Sequence, residues 1–346
     1  MPTATRARGF SDTIQNTMSS SGTTHAIRGG IDLGGTKIEA IIVDDANTVL
    51  GSSRKPTPTE GAPKDVAEQI VAAITGAASA AGLKPSELLG VGVGSPGVID
   101  TETGAVRGAR NLPGWEGSFE LADTLSDRLG TPVRVGNDVQ VATEAEFHLG
   151  AGKPYQSLLG VFWGTGVGGG LILDGKPWVG RGGAGEIGHV VVKLDGAQCP
   201  CGRRGCMEAY AGRGAMEARA RKLADDGRKT DLFKLMRHRD RTRLTSSIWA
   251  HALEHKDPVA TEIIDRAITA LGAGIASAVN LIDVGAVIIG GGLGLRFGQP
   301  YVKRIATEMQ PHLFNDARPP DVLLAALGDL GGGLGAALLV APPAAD

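Results

Sequence analysis

Apolar residues in this chain come in short runs, each closed by a cluster of glycine and polar residues. Ile31 and Leu33 alternate with Gly30 and Asp32, Gly34-Gly35-Thr36 interrupts, and apolar positions resume from Ile38 to Val43. That pattern predicts strand, tight turn and strand over residues 30–44. Residues 63–81 read as helix, residues 90–93 as a short buried strand stopped by Ser95-Pro96-Gly97, and Asn111-Leu112-Pro113-Gly114-Trp115 as a loop. A helix over 121–129 leads to a strand at 133–135, which ends on Asn137-Asp138, and helical character returns over 140–149. Residues 158–173 then repeat the first plan about 130 residues later: an apolar strand, a run from Gly164 to Gly170, and another apolar strand. This internal repeat predicts two related lobes. Helices are expected at 209–226 and 258–281. A buried strand at 286–289 is expected to run into a loop, Gly290 to Gly294, and a small apolar helix to close the chain at 331–340. Strands alternating with helices predict an α/β protein with a substantially parallel sheet.

Composition narrows the classes. A chain of 346 residues is long for one core, so two lobes or domains are expected. The net charge of -2 gives no general attraction to nucleic acid or to an anionic membrane, and both are excluded as expected partners. The chain lacks an uninterrupted apolar run of the length a membrane helix needs, about 18 residues. Residues 1–28 are polar and rich in Ser and Thr, and read as a disordered leader on a cytoplasmic protein. Glycine is in excess, 53 copies or about 15% against a usual value near 7%. Its clustering in short loops suggests backbone brought close to a ligand.

Three Gly-rich segments carry the candidate nucleotide chemistry. In Asp32-Leu33-Gly34-Gly35-Thr36-Lys37, backbone N–H groups can converge on a phosphate beside a hydroxyl and an ammonium. The spacing is neither that of a Walker loop nor that of a Rossmann turn. Alone it fits a ligand-free hairpin as well as a phosphate site. A second hairpin at Gly164, Thr165 and Gly166 changes this, because two matching turns can face one nucleotide. Gly290, Gly291 and Gly292 add a third backbone surface on which an adenosine can lie. Asn137-Asp138 sits at a strand end, where ligands of open α/β sheets bind. Asp138 there can be a general base for an attacking hydroxyl, and the same pair fits a helix N-cap equally well.

The only cysteines, Cys199, Cys201 and Cys206, fall within eight residues and, being three, cannot pair completely. With His189 they supply four ligands of the type that closes a tetrahedral zinc site, a structural role that leaves no position for water. The Cys-x-Cys step is tighter than the common Cys-x₂-Cys. Glu186 and Glu208 flank the set and, held rigidly, suit hydrogen bonds to a polyol.

Together these residues resemble the ROK family (repressors, unassigned frames and kinases) of the actin-like ATPase superfamily. The most specific elements are Glu186-x-x-His189 and His189 followed by Cys199-x-Cys201-Gly202-x-x-Gly205-Cys206-x-Glu208. The resemblance runs from about Gly29 to Val340. It implies a two-lobed actin-like, ribonuclease H-like α/β fold with an interlobe cleft. The small lobe would be residues 29–139 plus 329–344, and the large lobe 140–328 with the zinc loop. It further implies structural Zn²⁺ on His189, Cys199, Cys201 and Cys206, and a hexose held by Asn111, Asn137, Asp138, Glu186, His189 and Glu208. His189 would serve both groups, one ring nitrogen to each. Asp138 matches the family's catalytic base and Asp32 the place of the phosphate–Mg²⁺ group.

Family repressors carry an N-terminal winged helix, which the short segment before the first hairpin does not resemble, so a sugar-responsive repressor is disfavoured, as is a non-catalytic sugar-binding protein. An ATP-dependent hexose kinase is therefore expected, working as a homodimer or homotetramer. The Asn111–Trp115 loop and the ten-residue step from His189 to Cys199 resemble bacterial glucokinases. Fructose, mannose and N-acetylamino sugars are the alternative acceptors, and polyphosphate an alternative donor.

Overall fold

The structure, a computed structural model, describes residues 26–341. Strands β1 (Arg28–Leu33) and β2 (Lys37–Val43) pair antiparallel, with Ile31 opposite Ala40 and Leu33 opposite Ile38. β3 (Val49–Pro56) adds to β2, and the chain crosses through α1 (Pro63–Ala80) to β4 (Val91–Ser95), parallel to β1. A small antiparallel sheet of β5 (Val98–Ile99), β6 (Val106–Arg107) and β7 (Ser118–Phe119) follows. Helix α2 (Leu121–Leu129) then leads to β8 (Val133–Asn137), parallel to β4. The first sheet has the order β3-β2-β1-β4-β8.

Helix α3 (Asp138–Leu149) opens the second half. β9 (Leu158–Trp163), β10 (Val167–Leu173) and β11 (Lys176–Pro177) form an antiparallel run. Five helices follow the cysteine segment: α4 (Glu208–Ala211), α5 (Arg213–Asp225), α6 (Leu232–His238), α7 (Ser246–Glu254) and α8 (Pro258–Ile282). β12 (Ala286–Gly290) pairs parallel with β9, and α9 (Gly291–Met309) returns the chain to β13 (Asp321–Leu324), parallel to β12. The second sheet is β11-β10-β9-β12-β13, strand for strand the plan of the first. Two copies of this three-antiparallel, two-parallel sheet make the actin-like ATPase, ribonuclease H-like architecture. Each sheet is thus mixed rather than mainly parallel, because tight Gly turns force antiparallel hairpins and only the helical crossovers give parallel pairs.

Each sheet has its own large apolar cluster. One gathers Ile31, Leu33, Ile70, Ile74 and Trp115, the other Trp163, Trp249, Ile264 and Ile275. Fully burying a side chain of this size contributes about 1.5–3 kcal/mol. The last helix, α10 (Gly331–Leu338), lies against β1 and β4 of the first sheet and against α3. Among the described residues no helix is long and apolar enough to cross a membrane.

Four further sequence expectations change. β1 begins at Arg28, whose buried side chain donates to the Asp44 carbonyl and to Asn47 Oδ1, so Arg28 belongs to the fold rather than to a leader. The rest of that expectation lies outside the described residues except for residues 26 and 27. The helix expected over 209–226 is broken at Gly212, whose extended backbone (φ -61°, ψ 133°) ends α4 and starts α5. Gly290 to Gly294 is not a loop: Gly290 ends β12 and α9 begins at Gly291. Finally, many glycines serve packing. A Cβ on Gly30 would overlap the Gly333 carbonyl oxygen, and one on Gly92 the Ala336 carbonyl oxygen.

Candidate active site

A cleft of about 1260 Å³ opens between the two sheets, lined from both halves of the chain. Six residues expected to hold a sugar, Asn111, Asn137, Asp138, Glu186, His189 and Glu208, all line it. So do Gly34 and Gly35 of the first turn, Gly164, Thr165 and Gly166 of the second, and Gly291 at the start of α9. Asp32, Thr36, Lys37, Gly290 and Gly292 are not on its wall. Lys37 is turned along β2, its Nζ 2.5 Å from Glu39 Oε2, and Glu39 also takes Arg54 at 2.7 Å. A Cβ on Gly290 would meet the Phe162 ring at 2.7 Å, so its bareness serves packing. Gly292 lies next to the second turn, its N 3.7 Å from a Cβ built on Gly164.

Local sequence explains how each wall is made. In the first turn the Gly34 N–H donates to the Lys37 carbonyl at 3.0 Å, and Thr57 Oγ1 holds the Gly34 carbonyl at 2.6 Å. A Cβ on Gly35 would sit 2.9 Å from the Asn111 carbonyl oxygen, so only glycine lets the Asn111 loop close on the turn. That loop is pinned by buried Trp115, whose Nε1 donates to the Val106 carbonyl at 3.0 Å. In the second turn the Gly164 N–H donates to the Gly166 carbonyl, and Arg213 from α5 donates to Thr165 Oγ1 at 2.8 Å.

Asn137 and Asp138 differ in what they contact. Asn137 is the N-cap of α3, its Oδ1 accepting from the Gln140 N–H at 3.1 Å. Asp138 opens the helix and faces the cleft, Oδ1 accepting from the Val139 N–H at 2.9 Å. Burial, then the neighbouring charge of Asp32, push its carboxyl up to about 7, with Glu186 adding to the repulsion. Those influences overcome the backbone hydrogen bonds, which act in the opposite direction. Asp32 itself is pushed up by burial, partly offset by Lys37. Its carboxylate lies against Gly332 in the first turn of α10.

The four sulfur and imidazole groups converge. One ligand atom from each of His189, Cys199, Cys201 and Cys206 lies within 4.8 Å of the others. Cys201 and Cys206 sulfurs are 3.7 Å apart, and Cys199 Sγ is 3.8 Å from His189 Nδ1. A tetrahedron with metal–sulfur bonds of about 2.3 Å has an edge of about 3.8 Å, so the spacing suits one zinc-sized ion. His189 Nε2 points the other way, 3.8 Å from Glu186 Oε2. Glu208 joins the cluster to the second hairpin: Oε2 accepts from the Val167 N–H at 2.9 Å, and Oε1 lies 3.9 Å from Cys199 Sγ. Of the cysteines only Cys201 reaches the cleft wall.

This combination of a doubled sheet, two Gly hairpins and a His-Cys₃ cluster matches the ROK family over residues 28–342. The chain belongs to the ROK family. It is 31% identical over 318 residues to a glucokinase of Streptomyces coelicolor, covering 91% of this chain and 97% of that protein. A ROK glucokinase from Streptomyces griseus, solved in complex with glucose and AMPPNP, superimposes with a TM-score of 0.78. The two are 32% identical, over 90% of this chain and 98% of that one. A ROK hexokinase from Thermus thermophilus gives 0.71 at 33% identity, over 90% and 97%.

Some residues of this ROK site left no trace in the sequence. Arg213 and Thr57 are isolated in the chain and reach the two turns only through the fold. Arg110 donates to the Pro200 carbonyl at 3.3 Å, tying the Asn111 loop to the cysteine segment across 90 positions. A lone Arg beside an Asn carries no spacing signal.

Proposed function

We propose that this ROK protein is an ATP-dependent glucokinase, transferring the γ-phosphoryl group of ATP to the 6-hydroxyl of glucose in the cytoplasm. The observation that carries the reading is the placement of Asp138, with its raised pKa, in one cleft with both Gly turns and five polar residues suited to a polyol. The glucose and AMPPNP bound by the Streptomyces griseus glucokinase support the choice of substrates.

Asn111, Asn137, Glu186, His189 and Glu208 orient the sugar so that its 6-hydroxyl faces Asp138. Asp138 accepts that proton as the oxygen attacks the γ-phosphorus in line with the departing ADP oxygen. Backbone N–H groups of Gly35 and Gly166, with the Thr165 hydroxyl, receive the phosphate oxygens in turns that the Gly34 and Gly164 N–H groups close, and Gly291 borders the nucleoside. Asp32, a buried carboxylate short of compensating charge, fits Mg²⁺, which when bound neutralises charge on the phosphates. His189, Cys199, Cys201 and Cys206 would hold structural zinc, which when bound would fix the segment bearing His189 and Glu208. The lobes at 29–139 with 329–344, of which 342–344 lie outside the described residues, and at 140–328 close to exclude water as a competing acceptor.

A coupled ADP-release assay over a panel of hexoses, with ATP and with polyphosphate, tests this. Glucose with ATP should give the highest kcat/KM, and Asp138→Asn should lose about 10²–10⁴-fold in kcat while keeping most of its sugar affinity. A higher kcat/KM for another sugar overturns the glucose assignment. A variant retaining over half the wild-type kcat overturns the role of Asp138.

A further inference from the structure

A second cavity of about 290 Å³ lies among the helices of the second half and shares no wall residue with the cleft. Three of the seven histidines face it: His238 at the end of α6, and His251 and His255 from α7 and its C-cap. His251 and His255 are four residues apart, which on a helix places them one above the other. Their ring centroids are 4.2 Å apart. Glu254 joins them, Oε2 being 3.9 Å from His251 Nδ1, and one ligand atom from each of the three lies within 4.8 Å of the others.

One hydrogen bond fixes the chemistry of this cluster. His255 Nδ1 is 2.8 Å from the His251 carbonyl oxygen. A carbonyl can only accept, so in the neutral ring Nδ1 carries the proton and Nε2 presents a lone pair. Metal-binding histidines use this device, donating one ring N–H to a carbonyl while the other nitrogen coordinates. The sequence His251-Ala252-Leu253-Glu254-His255 also has the His-x-x-Glu-His spacing found in a class of zinc sites.

We propose that His251, Glu254 and His255 form a binding site for an imidazole-preferring divalent ion such as Zn²⁺ or Ni²⁺, with His238 completing it from α6. Exposed and half-exposed side chains let His251, Glu254 and His255 close by about 1 Å to reach bonds near 2.1 Å, and His238, outside their 4.8 Å group, swings further. Asp257, also on the cavity wall, is not a ligand. Its Oδ1 accepts from the Val259 and Ala260 N–H groups, and its Oδ2 from Thr230 and the Asp231 N–H. Asp231 and Lys234, of opposite charge, also line the cavity. Bound metal would clip α6 to α7.

Equilibrium dialysis of the full-length protein against micromolar Zn²⁺, followed by elemental analysis, decides the matter. Wild type should hold one more zinc per chain than His251→Ala/His255→Ala, which keeps its phosphoryl-transfer activity. His238→Ala should weaken this extra site about tenfold. Equal zinc in wild type and double variant overturns the proposal, whatever the cysteine cluster holds, because that cluster is the same in both. His251→Gln and His255→Gln, measured singly with Ni²⁺ by calorimetry, give the same comparison should the double variant fail to fold. Each is expected to lose at least tenfold in affinity, and unchanged affinity in both overturns the site.

Discussion

Asp138 is held at a pKa of about 7 because burial and the charge of Asp32 both oppose ionisation. A general base must be ionised, so kcat/KM, which reports the free enzyme, should fall tenfold per pH unit below about 7. A pH profile of kcat/KM flat from 6 to 8 would show that Asp138 does not limit the reaction. The same shift has a stability consequence. The folded pKa lies above the unfolded value near 3.9, so ionising Asp138 weakens the fold, fully so above about pH 7 and not at all below about pH 4. Asp138→Asn should therefore melt at higher temperature than wild type at pH 8. Glu186 and Glu208, similar in sequence, differ in setting. Glu186 is 57% exposed near His189, whereas Glu208 holds the Val167 N–H. Glu186→Ala should raise the glucose KM about tenfold, from about 1.4 kcal/mol per decade, and change stability by less than about 0.5 kcal/mol. Glu208→Ala should raise KM and also lower the melting temperature, since it orphans a backbone donor. Equal melting temperatures for the two variants would contradict this distinction.

Among the elements, the hairpins and α10 do different work with the same residue. Glycine in the β1–β2 turn admits Asn111. Glycine in α10, β1 and β4 lets a helix lie almost on the sheet backbone, with Gly30 against Gly333 and Gly92 against Ala336. The first turn of that helix carries Gly332 against Asp32, so the packing also sets the position of a site carboxylate. Gly92→Ala must push α10 away, and should cost about 1–3 kcal/mol as an overpacked core does. Urea unfolding measures it, and the variant should also lose activity if Asp32 moves with the helix. A variant as stable as wild type would show that α10 shifts freely.

At the scale of the molecule, two sheets of one plan face each other across a cleft whose walls come from residues as far apart in the chain as Gly34 and Leu339. The residues proposed for the sugar lie on both halves, and so do those proposed for the phosphates, so closure would bring them together onto the ligands. Small-angle scattering should show a smaller radius of gyration with glucose and a non-hydrolysable ATP analogue together than without ligands. Unchanged scattering would mean the cleft is already closed. Much of this was legible in the chain itself. The repeated Gly hairpins announced two related lobes, because a tight turn between apolar runs is a local event. The pattern from Glu186 to Glu208 announced the His-Cys₃ cluster, because all four ligands fall within 18 positions and their chemistry is distinctive. Asn137-Asp138 was found, but its two roles could not be separated, since an N-cap and a cleft-facing carboxylate need the same residues at a strand end. Other features were decided only by tertiary structure. Lys37 is drawn to Glu39 and away from the cleft wall, Arg213 and Arg110 arrive through distant elements, and Gly290 to Gly294 becomes strand end and helix start. The raised pKa of Asp138 belongs here too, because it depends on burial and on a carboxylate 106 positions away. Sequence fixes what neighbours along the chain must do, while charge, burial and cleft geometry arise where segments distant in the chain meet.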